Sequence, residues 1–145
     1  MNSNCIFCRI IAGEIPSEKV YEDDSVMAFL DIKPVSRGHV LVIPKNHSAD
    51  LLSADNETLK DLMPKVKQIS QAVMKAVNAQ GINVSTNNGA AAGQIIFHLH
   101  FHLIPRYSKD GLPPWPHHEV ELKTRTELAE KIKEKFTPDT ITSLL

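Results

Sequence analysis

Three histidines alternate with apolar residues in Phe97-His98-Leu99-His100-Phe101-His102-Leu103. In a β-strand successive side chains point to opposite faces. A strand here predicts His98, His100 and His102 on one face, and Phe97, Leu99, Phe101 and Leu103 on the other. Ser, Thr or Lys would solvate a strand face equally well, so three imidazoles point to chemistry rather than to solvation. One metal cannot gather all three. Residues two apart on a strand are ~6.6–7 Å apart, which puts His98 and His102 ~13 Å apart, whereas zinc holds its nitrogen ligands at ~2.0–2.1 Å. The three rings should divide into different jobs.

Cys5 and Cys8 form the only cysteine pair, a C-x-x-C. In a reducing compartment a structural disulfide is disfavoured, which leaves metal binding, redox chemistry, or two buried small apolar residues. The redox reading is the less attractive one, because no strand precedes the motif. A tetrahedral Cys₂His₂ site needs two further ligands. His47, in Pro44-Lys45-Asn46-His47, and one end of the histidine run are the candidates. His98 is the natural choice, since it leaves His100 and His102 as a catalytic pair. His39 stands at the start of an apolar run, and His117 and His118 read as exposed loop residues.

The elements that must position these groups are partly legible. Residues 4–12, NCIFCRIIA, predict a short helix capped by Asn4 or Ser3 and closed by Gly13. Residues 19–21 and 26–30 read as short strands joined by the turn Glu22-Asp23-Asp24-Ser25. Residues 39–43, HVLVI, read as a well-buried strand ended by Pro44. Leu59, Leu62, Val66, Ile69, Val73 and Val77 recur at helical steps. That pattern predicts one long helix, capped by Ser53 or Asp55 and stopped at Gly81, with a kink or late start at Pro64. Residues 83–85 and 98–104 read as further strands around the loop 86–94, and a last helix is expected near 126–135. Strands without regular βαβ alternation make an α+β fold.

Composition excludes several classes of function. The chain has 145 residues, 42% hydrophobic and 23% charged, with 16 Lys+Arg against 17 Asp+Glu. That length suits one domain with a real core and no disulfide staples. A net charge of −1 argues against nucleic acid or an anionic membrane as the main partner. No apolar run approaches the ~18–20 residues that span a bilayer, and the first residues do not read as a signal peptide. A cytoplasmic protein is the expectation.

Together these residues resemble the histidine-triad (HIT) family of nucleotide hydrolases and transferases, particularly its Hint-like branch. The family signature His-φ-His-φ-His-φ-φ stands here as His98-Leu99-His100-Phe101-His102-Leu103-Ile104. Ile6-Phe7-Cys8-Arg9-Ile10-Ile11 with Glu14-Ile15-Pro16, then Tyr21-Glu22-Asp23-Asp24, is similar to its N-terminal segment. Ala28-Phe29-Leu30-Asp31-Ile32-Lys33-Pro34 and Gly38-His39-Val40-Leu41-Val42-Ile43-Pro44-Lys45 are similar to its central segment. Asn87 and Gly93-Gln94 match its glycine-rich loop.

The resemblance implies an antiparallel sheet of about five strands with two main helices. Residues 1–110 would form the HIT domain, and 111–145 a tail packed on the domain or at a homodimer interface. It implies that His100 attacks the α-phosphorus of a purine nucleotide to give a covalent nucleotidyl-histidine. His102 would donate to the phosphate or leaving group, with His39 in support. It implies a structural zinc on Cys5, Cys8, His47 and His98, and no catalytic metal. Asp31 would accept from the ribose hydroxyls, and Phe7, Ile10, Phe29 and Ile32 would wall the purine. The backbone of Asn87, Gly93 and Gln94 would approach the phosphate. Ile95 stands where Hint-like relatives often carry serine, and its apolar side chain cannot donate to a leaving amine. Trp115 could line the site across the dimer or pack as a loop aromatic. Two rival readings are a hydrolase with a catalytic metal on His100 and His102, and a nucleotide- or partner-binding module without turnover.

Overall fold

The run of apolar residues at Val40–Pro44 has a simple cause: the strand it forms is covered on both faces. The computed structural model describes residues 4–136. In chain order it contains α1 (Ile6–Ile11), β1 (Lys19–Glu22), β2 (Val26–Leu30), β3 (Val40–Pro44), α2 (Asn56–Val77), β4 (Gly81–Ser85), β5 (Phe101–Arg106) and α3 (Leu122–Lys133), with one 3-10 turn at Ala90–Ala92. The five strands form one antiparallel sheet in the order β1-β2-β3-β5-β4. Side chains alternate through it. Val26, Ala28, Val40, Val42, Phe101 and Leu103 pack with Leu62, Val66, Ile69 and Val73 of α2. Met27, Phe29, Leu41 and Ile43 pack on the other face with Cys5, Phe7, Cys8 and Ile10 around α1. The residues up to Asp110 form one compact unit and those from Gly111 a second. No described helix is long and apolar enough to cross a membrane.

Several element ends differ from the sequence reading, each for a local reason. Helix α1 is capped by Cys5, whose sulfur accepts from the Cys8 backbone N–H at 3.4 Å, rather than by Asn4; Ser3 lies outside the described residues. Asp55, not Ser53, caps α2 by accepting from Thr58 N–H at 2.8 Å, while Ser53 closes a turn with Asp50. Helix α2 starts well before Pro64, which lies inside it without delaying its start. It stops at Asn78, which takes the left-handed conformation (φ 51°) that asparagine adopts cheaply, and Gly81 opens β4 instead. Pro44 belongs to β3 as its last residue, opposite Val26. Helix α3 begins four residues earlier than expected. Its unit holds exposed His117 and His118, and Trp115, which is 77% exposed.

The histidine run departs most from the expected strand. Only its last three residues lie in the sheet, because β5 begins at Phe101. Residues 98–100 are held by individual bonds: Leu99 N–H donates to Ser48 O at 2.7 Å, and Thr86 Oγ donates to His100 O at 2.8 Å. Leu99, Phe101 and Leu103 are buried as expected, but Phe97, ahead of the ladder, is half exposed.

Candidate active site and metal centre

The sheet gathers the histidines on the α1 side. His102 pairs with Leu41 across β3 and with Ser85 across β4. His39 immediately precedes β3, and its ring meets the His102 ring with centroids 5.2 Å apart. The His100 and His102 rings are 5.0 Å apart. From α1, Phe7 packs edge-on against His100 (5.2 Å), His98 (5.8 Å) and Phe29 (5.5 Å). The short N-terminal helix therefore covers the histidine cluster directly.

Each ring has its own anchor, and the anchors decide which nitrogen is free. A neutral imidazole carries one N–H, and the partner of one nitrogen fixes the state of the other. His100 Nδ1 lies 2.7 Å from the His98 carbonyl, which can only accept. The proton sits on Nδ1, and Nε2 keeps a lone pair. His98 Nε2 lies 2.8 Å from the Pro44 carbonyl, so the His98 lone pair is on Nδ1. Burial holds His100 below the ordinary histidine pKa and brings His98 down to about 4. His102 also falls to about 4, by burial first and then by the neighbouring His100 and His39. Burial lowers His39 as well, against the opposing pull of the Asp31 carboxylate. The cluster is thus neutral near pH 7, the state in which imidazole is nucleophilic.

The His98 lone pair faces the C-x-x-C. His98 Nδ1 lies 3.4 Å from Cys5 Sγ, 3.6 Å from Cys8 Sγ and 3.1 Å from His47 Nδ1, with Cys8 Sγ 3.3 Å from His47 Nδ1. All four ligand atoms lie within 4.8 Å of one another. A tetrahedral zinc with bonds of ~2.3 Å to sulfur and ~2.05 Å to nitrogen would need edges of roughly 3.3–3.8 Å. The four side chains fit that ion. Burial raises the Cys5 thiol pKa, so its thiolate calls for a cation beside it. The bond from His98 to Pro44 O is the kind of outer contact that orients a ligating imidazole. A second group, Asp31, His39 and His102, is equally close, with His39 Nε2 at 2.9 Å from His102 Nδ1 and 3.7 Å from Asp31 Oδ2.

The residues expected to meet a nucleotide fall into different situations. Phe7, Ile10 and Phe29 are buried, whereas Ile32 and Ile95 are 92% and 87% exposed. One Asp31 oxygen accepts from Lys33 N–H at 2.8 Å. In the loop, Gly93 has φ 89°, and a Cβ there would sit 3.4 Å from Asn87 Nδ2. The Gln94 side chain is buried: Oε1 accepts from Gly89 N–H, and Nε2 donates to Ala49 O and Ile96 O. Through these bonds the Gln94 side chain shapes the loop. Sequence reasoning missed the Pro44 carbonyl, the Val35 N–H, which donates to His39 Nδ1 at 3.1 Å, and Thr86. Backbone donors and acceptors leave no trace in residue type.

Comparison with known proteins agrees with this geometry. The family model described as the HIT domain matches residues 12–109. The chain is 48% identical over 122 residues to Protein hit of Bacillus subtilis, covering 83% of this chain and 84% of that protein. It is 41% identical over 141 residues to the adenosine 5'-monophosphoramidase HNT1 of Candida albicans, covering 93% of each. A crystal structure of a HIT family member from Bacillus subtilis superposes with a TM-score of 0.86 at 42% identity, covering 93% of this chain and 99% of that one. With its five-stranded antiparallel sheet and its histidine cluster, the chain belongs to the HIT domain family.

Proposed function

We propose that this protein is a nucleotide hydrolase or nucleotidyl transferase that cleaves purine nucleoside phosphoramidates, or other adenylyl conjugates, at the α-phosphate. The observation that carries the reading is the 2.7 Å contact from His100 Nδ1 to the His98 carbonyl, which leaves Nε2 unprotonated beside His102. Nε2 attacks the phosphorus, and the bond to the leaving group breaks with its electron pair going to the departing atom. That atom takes the proton directed to it by His102. The nucleotidylated ring is cationic, and its Nδ1–H still donates to His98 O, which stabilises it. Water then attacks the phosphorus, its proton returns to His102, and His100 Nε2 is released.

Asp31 accepts from the ribose hydroxyls, and Phe7, Ile10, Phe29 and Ile32 line the base. The loop at Asn87 and Gly93 approaches the phosphate, with Ile95 beside the leaving group. His39 supports His102. Cys5, Cys8, His47 and His98 would hold a zinc ion, whose contribution is a structural crosslink between α1, the segment after β3 and the histidine run. The protein works in the cytoplasm as a homodimer. The relatives named for phosphoramidase activity support the reaction class.

The test is a panel of adenosine phosphoramidates, dinucleoside polyphosphates and aminoacyl-adenylates, each assayed for released AMP with and without a chelator under conditions where the fold persists. Turnover of at least one adenylyl substrate that survives chelation supports the reading. Tight nucleotide binding without turnover would replace it with a binding module, and turnover abolished by chelation of a still-folded protein would replace it with a metal-dependent hydrolase.

A further inference from the structure

Between Asp31 and His39 the chain makes a tight turn whose backbone faces a catalytic ring. The Val35 N–H donates to His39 Nδ1 at 3.1 Å. The turn is braced on several sides. Asp31 N–H donates to His39 O, and His39 N–H to Ser36 O. Ser36 Oγ donates to Pro105 O at 2.7 Å, tying the turn to the strand that carries His102. Gly38, at φ 87°, lets the backbone approach Val77 and Pro105.

A ring nitrogen that accepts an N–H carries no proton, so the neutral His39 ring carries its proton on Nε2. That Nε2 lies 2.9 Å from His102 Nδ1. The direction of this bond is then forced. His39 donates, His102 Nδ1 accepts, and the single proton of the neutral His102 ring stands on Nε2. The opposite direction would require His39 to accept at both nitrogens, which a neutral imidazole cannot do. The same Nε2 proton makes the His39–His102–Asp31 group a proton network rather than a set of open metal ligands.

We propose that the Val35 backbone amide is a positioning group for the reaction: by donating to His39 Nδ1, it fixes His102 as a donor at Nε2, opposite in tautomer to its neighbour His100. This rests on the hydrolase reading for its consequence but not for its geometry. His100, anchored by a carbonyl, keeps a lone pair at Nε2, whereas His102, anchored through His39 by an amide, keeps a proton there. Two histidines of one run thus become nucleophile and donor through the polarity of a single backbone group each.

The tautomers can be read directly in the intact wild-type protein by long-range proton–nitrogen NMR of the histidine rings. His39 and His102 are expected as Nε2–H tautomers and His100 as Nδ1–H. A His39 that carries its proton on Nδ1 would overturn the proposal whatever the enzyme's activity. Val35→Pro removes the N–H, and Val35→Ala keeps it. The alanine variant should retain the wild-type ring signals. The proline variant should lose them and form the labelled nucleotidyl intermediate about 10- to 100-fold more slowly, at or below the lower end of the roughly 10²–10⁴-fold contribution of a positioned acid or base, with KM nearly unchanged. Placed in a His102→Ala background, Val35→Pro should add less than about twofold, because both act through one group. Independent, multiplicative losses, or a proline variant with wild-type ring signals, would refute it. Should no adduct form even on wild type, the hydrolase reading fails while the tautomer measurement still decides the role of Val35.

Discussion

Replacing Gly38 with alanine should destabilise the protein by about 2–5 kcal/mol, the sum of two separable costs. The first is conformational: at φ 87° an L-residue is strained by about 1–2 kcal/mol. The second is steric. A Cβ at position 38 would lie 2.9 Å from Val77 Cγ1 and 3.5 Å from Pro105 Cγ. Val77 ends helix α2, and a β-branched side chain in a helix has essentially one rotamer, so it cannot swing aside. Overpacking of this kind costs about 1–3 kcal/mol. Gly13 supplies the control. Its φ is 77°, but a Cβ there meets nothing within 4 Å, so Gly13→Ala should show the conformational cost alone. Urea unfolding of both variants measures the difference, provided the slope m is unchanged. Adding Val77→Ala to Gly38→Ala should recover part of the steric cost. Because His39 follows Gly38, the displaced backbone should also lengthen the contact to His102 and slow turnover. A Gly38→Ala protein within about 0.5 kcal/mol of wild type, or no more destabilised than Gly13→Ala, would refute the reasoning.

Purified protein should carry close to one zinc per chain, and Cys5→Ser should lower both metal content and melting temperature; unchanged metal content would remove Cys5 from the site. Asp31→Ala should weaken ribonucleotide binding by about 1.5–3 kcal/mol, the range for hydrogen bonds to a charged group, and weaken a dideoxy analogue much less. Equal losses in titration calorimetry would separate Asp31 from the sugar. Asp23 accepts from the Tyr21 hydroxyl, from Ser25 and Val26 N–H, and pairs with Lys65 at 3.2 Å. The Tyr21 bond above all holds its carboxyl far below the usual carboxylate range. A depressed folded pKa stabilises above the unfolded value near 3.9 and is lost as pH falls through the folded one. The stability gap between wild type and Asp23→Asn should therefore be full near about pH 6 and shrink below about pH 4; a gap that stays constant over that range would contradict the assignment.

The parts of this fold that follow from periodic burial were legible in the sequence. Strand β3 is apolar at every position because helices cover both faces, and α2 shows its buried stripe at Leu62, Val66, Ile69 and Val73. The grouping of Cys5, Cys8, His47 and His98 was also legible, from donor types and from the distance argument that denies one metal all three rings of the run. What was not legible depends on which backbone groups each residue meets. Phe97 leaves the core because His98, Leu99 and His100 are held by Pro44, Ser48 and Thr86 respectively rather than by a ladder. Gln94 turns inward because Gly89, Ala49 and Ile96 present matching partners. Asn78 ends α2 before Gly81 can, since either residue accepts a left-handed backbone and the first one suffices. Residue type alone carries none of these pairings.

The central claim is that His100 becomes covalently nucleotidylated. Wild type and His100→Ala would each be mixed with an adenosine phosphoramidate labelled in the adenylyl group, quenched within a turnover, and examined for labelled protein. The account predicts an acid-labile adenylyl adduct mapping to residue 100 in wild type and none in the variant, which should still bind nucleotide through its ribose and base contacts. Label retained at the wild-type level on His100→Ala would contradict it and move the nucleophile to another residue.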